Sequence, residues 1–344
     1  MIWSLKAAPS SVISAQRGGL LVIDPSANDT TIRGAGTDGR YEWTETLQGG
    51  QMIFGRSAEG VVVLNQKTGL LRAFLKSGEK RSVSAKGRPV VSAIPAGAGI
   101  LCHVAGGQGG KAGASLGFLD YNGRFVWEKP VGNGIVLFLF SLEDGAAGAA
   151  LVGSKEYLCT QLAYGRTDGS SPVNVETKPI PGVVREVCPG PDGAMIAAAG
   201  TSLYGHDAQG NLRWSVVTGG RVIDAVRHRD GTAVAVAREG SGRPALFVRD
   251  MVSFYDSRGI RLWRTNITKG ITALSEWDDL ICVGTARGIT ALGSTGGVRW
   301  EVSLPSPVRA LEVSPDHRLL YVLMESGEIR CYGFEIKGET GRES

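Results

Sequence analysis

The chain has 344 residues, with 37 Lys and Arg against 33 Asp and Glu, and Gly fills 50 positions, about twice its usual ~7% share. An apolar fraction of 42% excludes wholesale disorder, and 14 Pro with no Gly period exclude a collagen-like chain. The net charge of +4 is spread out and its densest basic runs carry their own acids, which argues against a nucleic-acid partner. At the N-terminus, residues 1–10 hold no apolar stretch of signal-peptide length, and Met1 to Lys6 (MIWSLK) reads as a strand. From there to Phe334, short β-rich runs alternate with Gly turns, and no segment shows a sustained helical period. The longest apolar run, near 135–140, falls far short of the ~18 residues that cross a bilayer. The last ten residues, 335–344 (EIKGETGRES), read as a polar tail.

Five tryptophans end a G-x-x-x-W motif: Trp43, Trp127, Trp214, Trp263 and Trp300. Three of these motifs extend upstream to an aspartate, at Asp120, Asp207 and Asp256. Gly78 and Gly169 keep the glycine and lose the Trp, so the marker glycines fall at 39, 78, 123, 169, 210, 259 and 296, about 43 residues apart. The missing C-terminal Trp is present at the N-terminus as Trp3, which predicts a ring closed by the first strand. In the clearest unit, 270–303, four strands separated by two- and three-residue turns form a meander. Four strands per ~43-residue repeat predict an all-β, eight-bladed β-propeller of four-stranded antiparallel blades. The expected blades are 11–46, 50–86, 88–129, 132–177, 182–217, 220–266, 270–303, and 306–334 completed by 1–6, one domain spanning 1–334.

The D-x-x-G-x-x-x-W repeat resembles the tryptophan-docking blades of the quinoprotein-like (PQQ-repeat) β-propellers, including stand-alone bacterial and archaeal forms. The resemblance covers the whole chain at blade level. It implies that Trp3, Trp43, Trp127, Trp214, Trp263 and Trp300 wedge between neighbouring blades. That group holds dehydrogenases and non-enzymatic scaffolds, so the resemblance bears on fold more than on activity. Its enzymes pair adjacent cysteines beside the quinone; here Cys102, Cys159, Cys188, Cys282 and Cys331 are widely spaced. They read as buried reduced thiols. A WD-repeat assignment fails on position, because the lone Trp277-Asp278 pair ends an innermost strand.

Motifs that carry chemistry elsewhere lack their context here. Gly113-Ala-Ser115-Leu-Gly117 matches a nucleophile elbow, but a strand follows where a helix is required. Gly34-Ala-Gly36-Thr-Asp-Gly39 matches a dinucleotide loop and leads into an outer strand. Residues 106–112 (GGQGGKA) resemble a P-loop without the Ser or Thr that would hold magnesium. His228-Arg229-Asp230 resembles a kinase catalytic loop, with Ala235 in place of the required Asn. The four His residues, His103, His206, His228 and His317, show no ligand spacing, so no metal or cofactor is expected.

Two repeats are longer than a blade needs, through 105–115 in the third and 238–250 in the sixth. Both insertions are expected on one face, where Lys111, Arg238, Arg243 and Arg249 would meet an acidic or peptide partner. Trp277, out of phase with the other tryptophans, is expected as an exposed contact beside an acidic turn. The functional expectation is a monomeric, non-enzymatic protein-interaction scaffold, cytoplasmic in this form. The alternative localisation is an exported or anchored protein whose anchor lies outside this sequence. Alternative functions are small-molecule or carbohydrate binding in the central funnel and, least favoured, quinone-dependent oxidation.

Overall fold

The computed structural model describes the protein except residues 27–28, 49–51, 58, 107–113, 132–134, 142–145, 153–158, 167–175, 190–193, 208–210, 238–249, 269 and 334–344. Among the described residues, 32 strands pair into eight four-stranded antiparallel sheets. Seven of these are meanders of consecutive strands, over 12–48, 52–84, 90–130, 135–181, 184–217, 221–267 and 271–303. The remaining sheet is composite. Trp3–Lys6 pairs antiparallel with Glu328–Gly333, in the register Trp3↔Cys331 to Lys6↔Glu328, outside the strands Leu319–Met324 and Val308–Val313. Seven blades are contiguous meanders, and the composite sheet is the one that the first strand must complete. We number the blades in chain order, with the composite one last, as blade eight.

The burial of each strand follows its rank. Second strands such as Gly60–Asn65 (GVVVLN) and Leu280–Thr285 (LICVGT) are buried along their whole length. Strands covered on both faces need no polar alternation, and their sequences show none. Outer strands such as Leu212–Val217 and Val298–Ser303 alternate exposed and half-buried residues. The core lies between blades. Leu21, Ile23 and Ile32 of blade one meet Val61, Val63 and Phe74 of blade two. Ile13, Leu20 and Val22 of blade one meet Tyr321, Leu323, Ile329 and Cys331 of blade eight, which closes the ring. Cys102, Cys188, Cys282 and Cys331 sit in this core as free thiols.

The repeated glycine has a conformational cause. Gly39, Gly78, Gly123, Gly259 and Gly296 turn from third strand to outer strand with φ between 78° and 89°, a region side chains disfavour. Each N–H bonds the carbonyl three residues back, as from Gly259 to Asp256 at 3.0 Å. The aspartate of D-x-x-G tightens the same turn. Asp256 Oδ1 accepts from the backbone N–H of Arg258 and Ile260, and Asp120 Oδ1 from those of Asn122 and Arg124.

Candidate functional site

The turn that seats each tryptophan also builds the outer rim. The residues just before the Trp begin the outer strand, and in five consecutive blades, five to eight and then one, they present exposed apolar groups, with a cation beside them in most. The apolar members include Leu212, Leu262, Val298 and Ile2, exposed by 56, 55, 53 and 55%. Tyr41 of blade one and Ile260 of blade six add to them. Arg213, Arg261, Arg299 and Arg40 are exposed beside them. Arg213 is tied to Asp207 at 2.7 Å, whereas Arg261 and Arg299 have no ion-pair partner among the described residues. Arginine beside apolar residues is the composition that contact surfaces favour. The sequence reading passed over these residues because they sat at the variable positions of G-x-x-x-W; a basic–apolar doublet at those positions was the available signal.

The tryptophans behave differently from junction to junction. The Trp3 Nε1–H donates to the Thr37 carbonyl of blade one at 2.6 Å, and the Trp214 Nε1–H to Ser257 of blade six at 2.9 Å. Their rings press on Gly39 and Gly259, leaving no room for a Cβ there, and Trp263 presses on Gly296 in the same way. Trp127 is buried and stacked on Phe118, and Trp300 meets Trp277 edge-on with centroids 6.1 Å apart. Trp43 stacks on Phe74 of blade two with centroids 6.2 Å apart, but nothing of its ring lies within 4 Å of a Cβ built at Gly78.

Trp277 corrects an expectation. It is 2% exposed, and its Nε1–H donates to the His317 carbonyl at 2.8 Å. In Ile271–Trp277 it packs with Ala273 in the core between blades seven and eight, beside Leu311 and Val322, while Ile271 and Leu274 pack toward blade six. Its displacement from the other tryptophans reflects a place on the innermost strand, where the position is core. Lys111, Arg238, Arg243 and Arg249 lie outside the described residues.

Charged side chains from four blades meet in the central channel. Arg56 of Met52–Ser57 pairs with Glu312 of Val308–Val313, two blades away, and the Ala15 N–H of blade one also reaches Glu312, at 3.3 Å. Glu186 of Val184–Pro189 and Asp224 of Arg221–His228 join them. In both of these strands a register shift falls just before the carboxylate, between Val184 and Glu186 and between Val222 and Asp224. Such bulges re-aim a side chain. Asp224 accepts from the N–H groups of Leu274 and Ala225 at 2.7 and 2.8 Å. Burial pushes the Glu186 carboxyl up to about 8, the Asp224 charge adding to the effect and Arg56 opposing it. Burial likewise raises Asp224, against its two backbone hydrogen bonds and Arg56.

The motif residues fall into ordinary propeller positions. Ser115 is buried within the third strand Ala114–Asp120, and Gly39 leads into the outer strand Tyr41–Gln48. His228-Arg229-Asp230 forms the turn between Arg221–His228 and Gly231–Ala237. Among the described residues no three His, Cys, Asp or Glu groups are placed to hold a metal, and no helix is long and apolar enough to cross a membrane.

The architecture recurs in solved structures. BamB from Moraxella catarrhalis superposes with a TM-score of 0.60 at 16% identity, over 97% of this protein and 99% of that one. The C-terminal WD40 domain of Sif2 gives 0.65 at 11% identity, over 97% of both proteins. BBS1N, solved in complex with ARL6DN, gives 0.53 at 11%, again over 97% of both. The protein is a β-propeller. No family profile and no curated protein matches it in sequence. At these identities the likeness bears on the fold and leaves the site to its own chemistry.

Proposed function

We propose that the protein is a non-enzymatic scaffold that binds a partner protein through the outer rim of blades five to eight and one. The observation that carries this reading is the recurrence of exposed apolar residues and arginines at the start of the outer strand, blade after blade. Apolar area supplies the association energy, and Arg261 and Arg299 favour a partner whose apolar surface is flanked by acids. That BBS1N was solved in complex with ARL6DN fits a propeller serving as a binding platform. The channel cluster supports a structural role over the funnel-ligand reading, because Arg56 and Glu312 are paired with each other and Asp224 is held by two backbone N–H groups. The test is affinity capture from the source cells with the wild type and with the triple variant Leu212→Ser, Leu262→Ser, Val298→Ser. The expected result is a partner enriched by the wild type and lost by the variant, at an unchanged melting temperature. A partner retained in full by the variant would remove the rim from the reading.

A further inference from the structure

At the junctions from blade eight to one and from five to six, the indole N–H of the outer-strand Trp donates to the carbonyl two residues before the next blade's turn glycine: Thr37 for Gly39, Ser257 for Gly259. At the junction from blade one to two, the corresponding carbonyl is that of Lys76. It accepts from the Arg17 backbone N–H, at 2.5 Å, and not from Trp43. Trp43 sits over Gly34 as Trp214 sits over Gly205, the indole edge carrying Nε1 against the glycine in each case. Its N–H has no acceptor among the described residues, as is also true of the buried indole N–H groups of Trp127 and Trp263; at Trp43, unlike those two, the ring borders an open slot. Between Trp43 and the Gly78 turn is a cavity of about 160 Å³. That is close to the ~150 Å³ that holds a benzene-sized group.

The walls of this slot carry further donors. Lys80 Nζ stands 3.0 Å from the Trp43 ring centroid, and Arg17 is exposed at the mouth with no ion pair among the described residues. Of the two acids lining it, Glu79 is paired with Arg81. Glu42 lies over Gly36, and Glu45, the acid whose charge acts on Lys80, is itself paired with Arg72 at 3.2 Å. An unused indole N–H, an ammonium and a guanidinium around a side-chain-sized space match a carboxylate, whose oxygens accept charge-assisted hydrogen bonds.

We infer that the slot between blades one and two binds a carboxylate of a peptide segment, either that of an acidic residue or the terminal one, with Trp43 Nε1–H and Lys80 as its donors. The inference rests on the partner-binding reading, since the slot lies at the blade-one end of the rim and would anchor the acidic part of that partner. The experiment is an NMR titration that follows the indole N–H resonances, the Trp43 signal being assigned with Trp43→Phe. The probes are acetyl-Gly-Gly-Gly with a free carboxylate, its C-terminal amide, acetyl-Gly-Glu-Gly-amide and acetyl-Gly-Gln-Gly-amide. The Trp43 signal is expected to move with a carboxylate peptide and not with its neutral counterpart. Which of the two acids acts separates the terminal source from the side-chain source. Lys80→Met, its other indole signals unchanged, is expected to weaken binding roughly tenfold, the scale of losing one charge-assisted bond. No movement with either carboxylate at millimolar concentration, or equal movement with the neutral peptides, overturns the proposal. Failure here leaves rim capture standing, and failure of the capture leaves a positive titration standing, so the two readings are judged separately.

Discussion

If docking of the indole N–H on the next blade's carbonyl stabilises the ring, Trp→Phe substitutions must be unequal. Replacing Trp by Phe removes roughly 40 Å² of ring area, about 1 kcal/mol, at any of these positions. At Trp3 and Trp214 it also removes hydrogen bonds of 2.6 and 2.9 Å to Thr37 and Ser257. Water can reach these carbonyls, so each lost bond costs about 1 kcal/mol more. Trp43 has no such bond to lose. The expectation is about 2 kcal/mol for Trp3→Phe and for Trp214→Phe, and about 1 for Trp43→Phe. With about 2.1 cal/mol/K of unfolding entropy per residue, a protein of 344 residues loses roughly 1.4 °C per kcal/mol. Calorimetry should therefore show Tm falling by about 3 °C for each of the first two and about 1.5 °C for the third. The double variant of Trp3 and Trp214 should fall by about 6 °C, because the sites share no partners. A Trp43→Phe shift equal to the other two would refute the docking argument and, with it, the claim that the blade-one junction is incomplete.

Other substitutions probe different parts of the ring. The folded-state pKa of Glu186 lies above its ordinary 4.5, at about 8, so its contribution to stability is complete below pH 4.5 and is lost as pH rises through 8. Glu186→Gln mimics the protonated form. The variant should match the wild type near pH 4.5 and exceed it by roughly 2–4 kcal/mol at pH 8.5, read from Tm against pH; a gap that does not widen with pH contradicts the channel burial. Trp277→Ala, at a buried ring bonded to His317, should cost about 3–5 kcal/mol in denaturant unfolding, and a cost below 1 would return Trp277 to the surface. Gly259→Ala, at φ 78° with the Trp214 ring 2.6 Å from the added carbon, should cost about 1–3 kcal/mol; a neutral result would mean the turn relaxes.

The sequence showed its period because the turn needs φ > 0 once per blade and the Trp needs a glycine beside it, so two constraints recur together every ~43 residues. The closing strand was legible for the same reason, Trp3 being the one repeat element without a turn upstream of it. What escaped the reading was direction. Glu186 and Asp224 reach the channel because a register shift precedes each of them, and no residue type encodes that bulge in advance. Trp277 looked exceptional by phase, yet it ends an innermost strand whose Leu274 and Ala273 are buried against the blades on either side, so a large ring there is core. The rim residues were visible, at Leu212-Arg213, Arg261-Leu262 and Val298-Arg299, but they read as spacers between a glycine and a tryptophan.

Blade two concentrates the departures from the repeat. Its outer strand, Lys80–Ser84, carries Ser82 where six of the other blades carry Trp, so Gly123 of blade three is met by the Ser84 carbonyl and the Lys86 side chain, with no indole near it. On its other side the Lys76 carbonyl accepts from Arg17, and Trp43 has no acceptor among the described residues. Neither junction is left unpacked. Phe74 stacks on Trp43, and Val62, Leu64 and Val83 join the core shared with Ile100 and Leu119 of blade three. Stability at blade two thus comes from its interior, and the outer position that docks a tryptophan elsewhere is released from that duty. A ligand in the slot would add contacts without displacing any that hold the ring. At this junction binding and folding therefore do not compete.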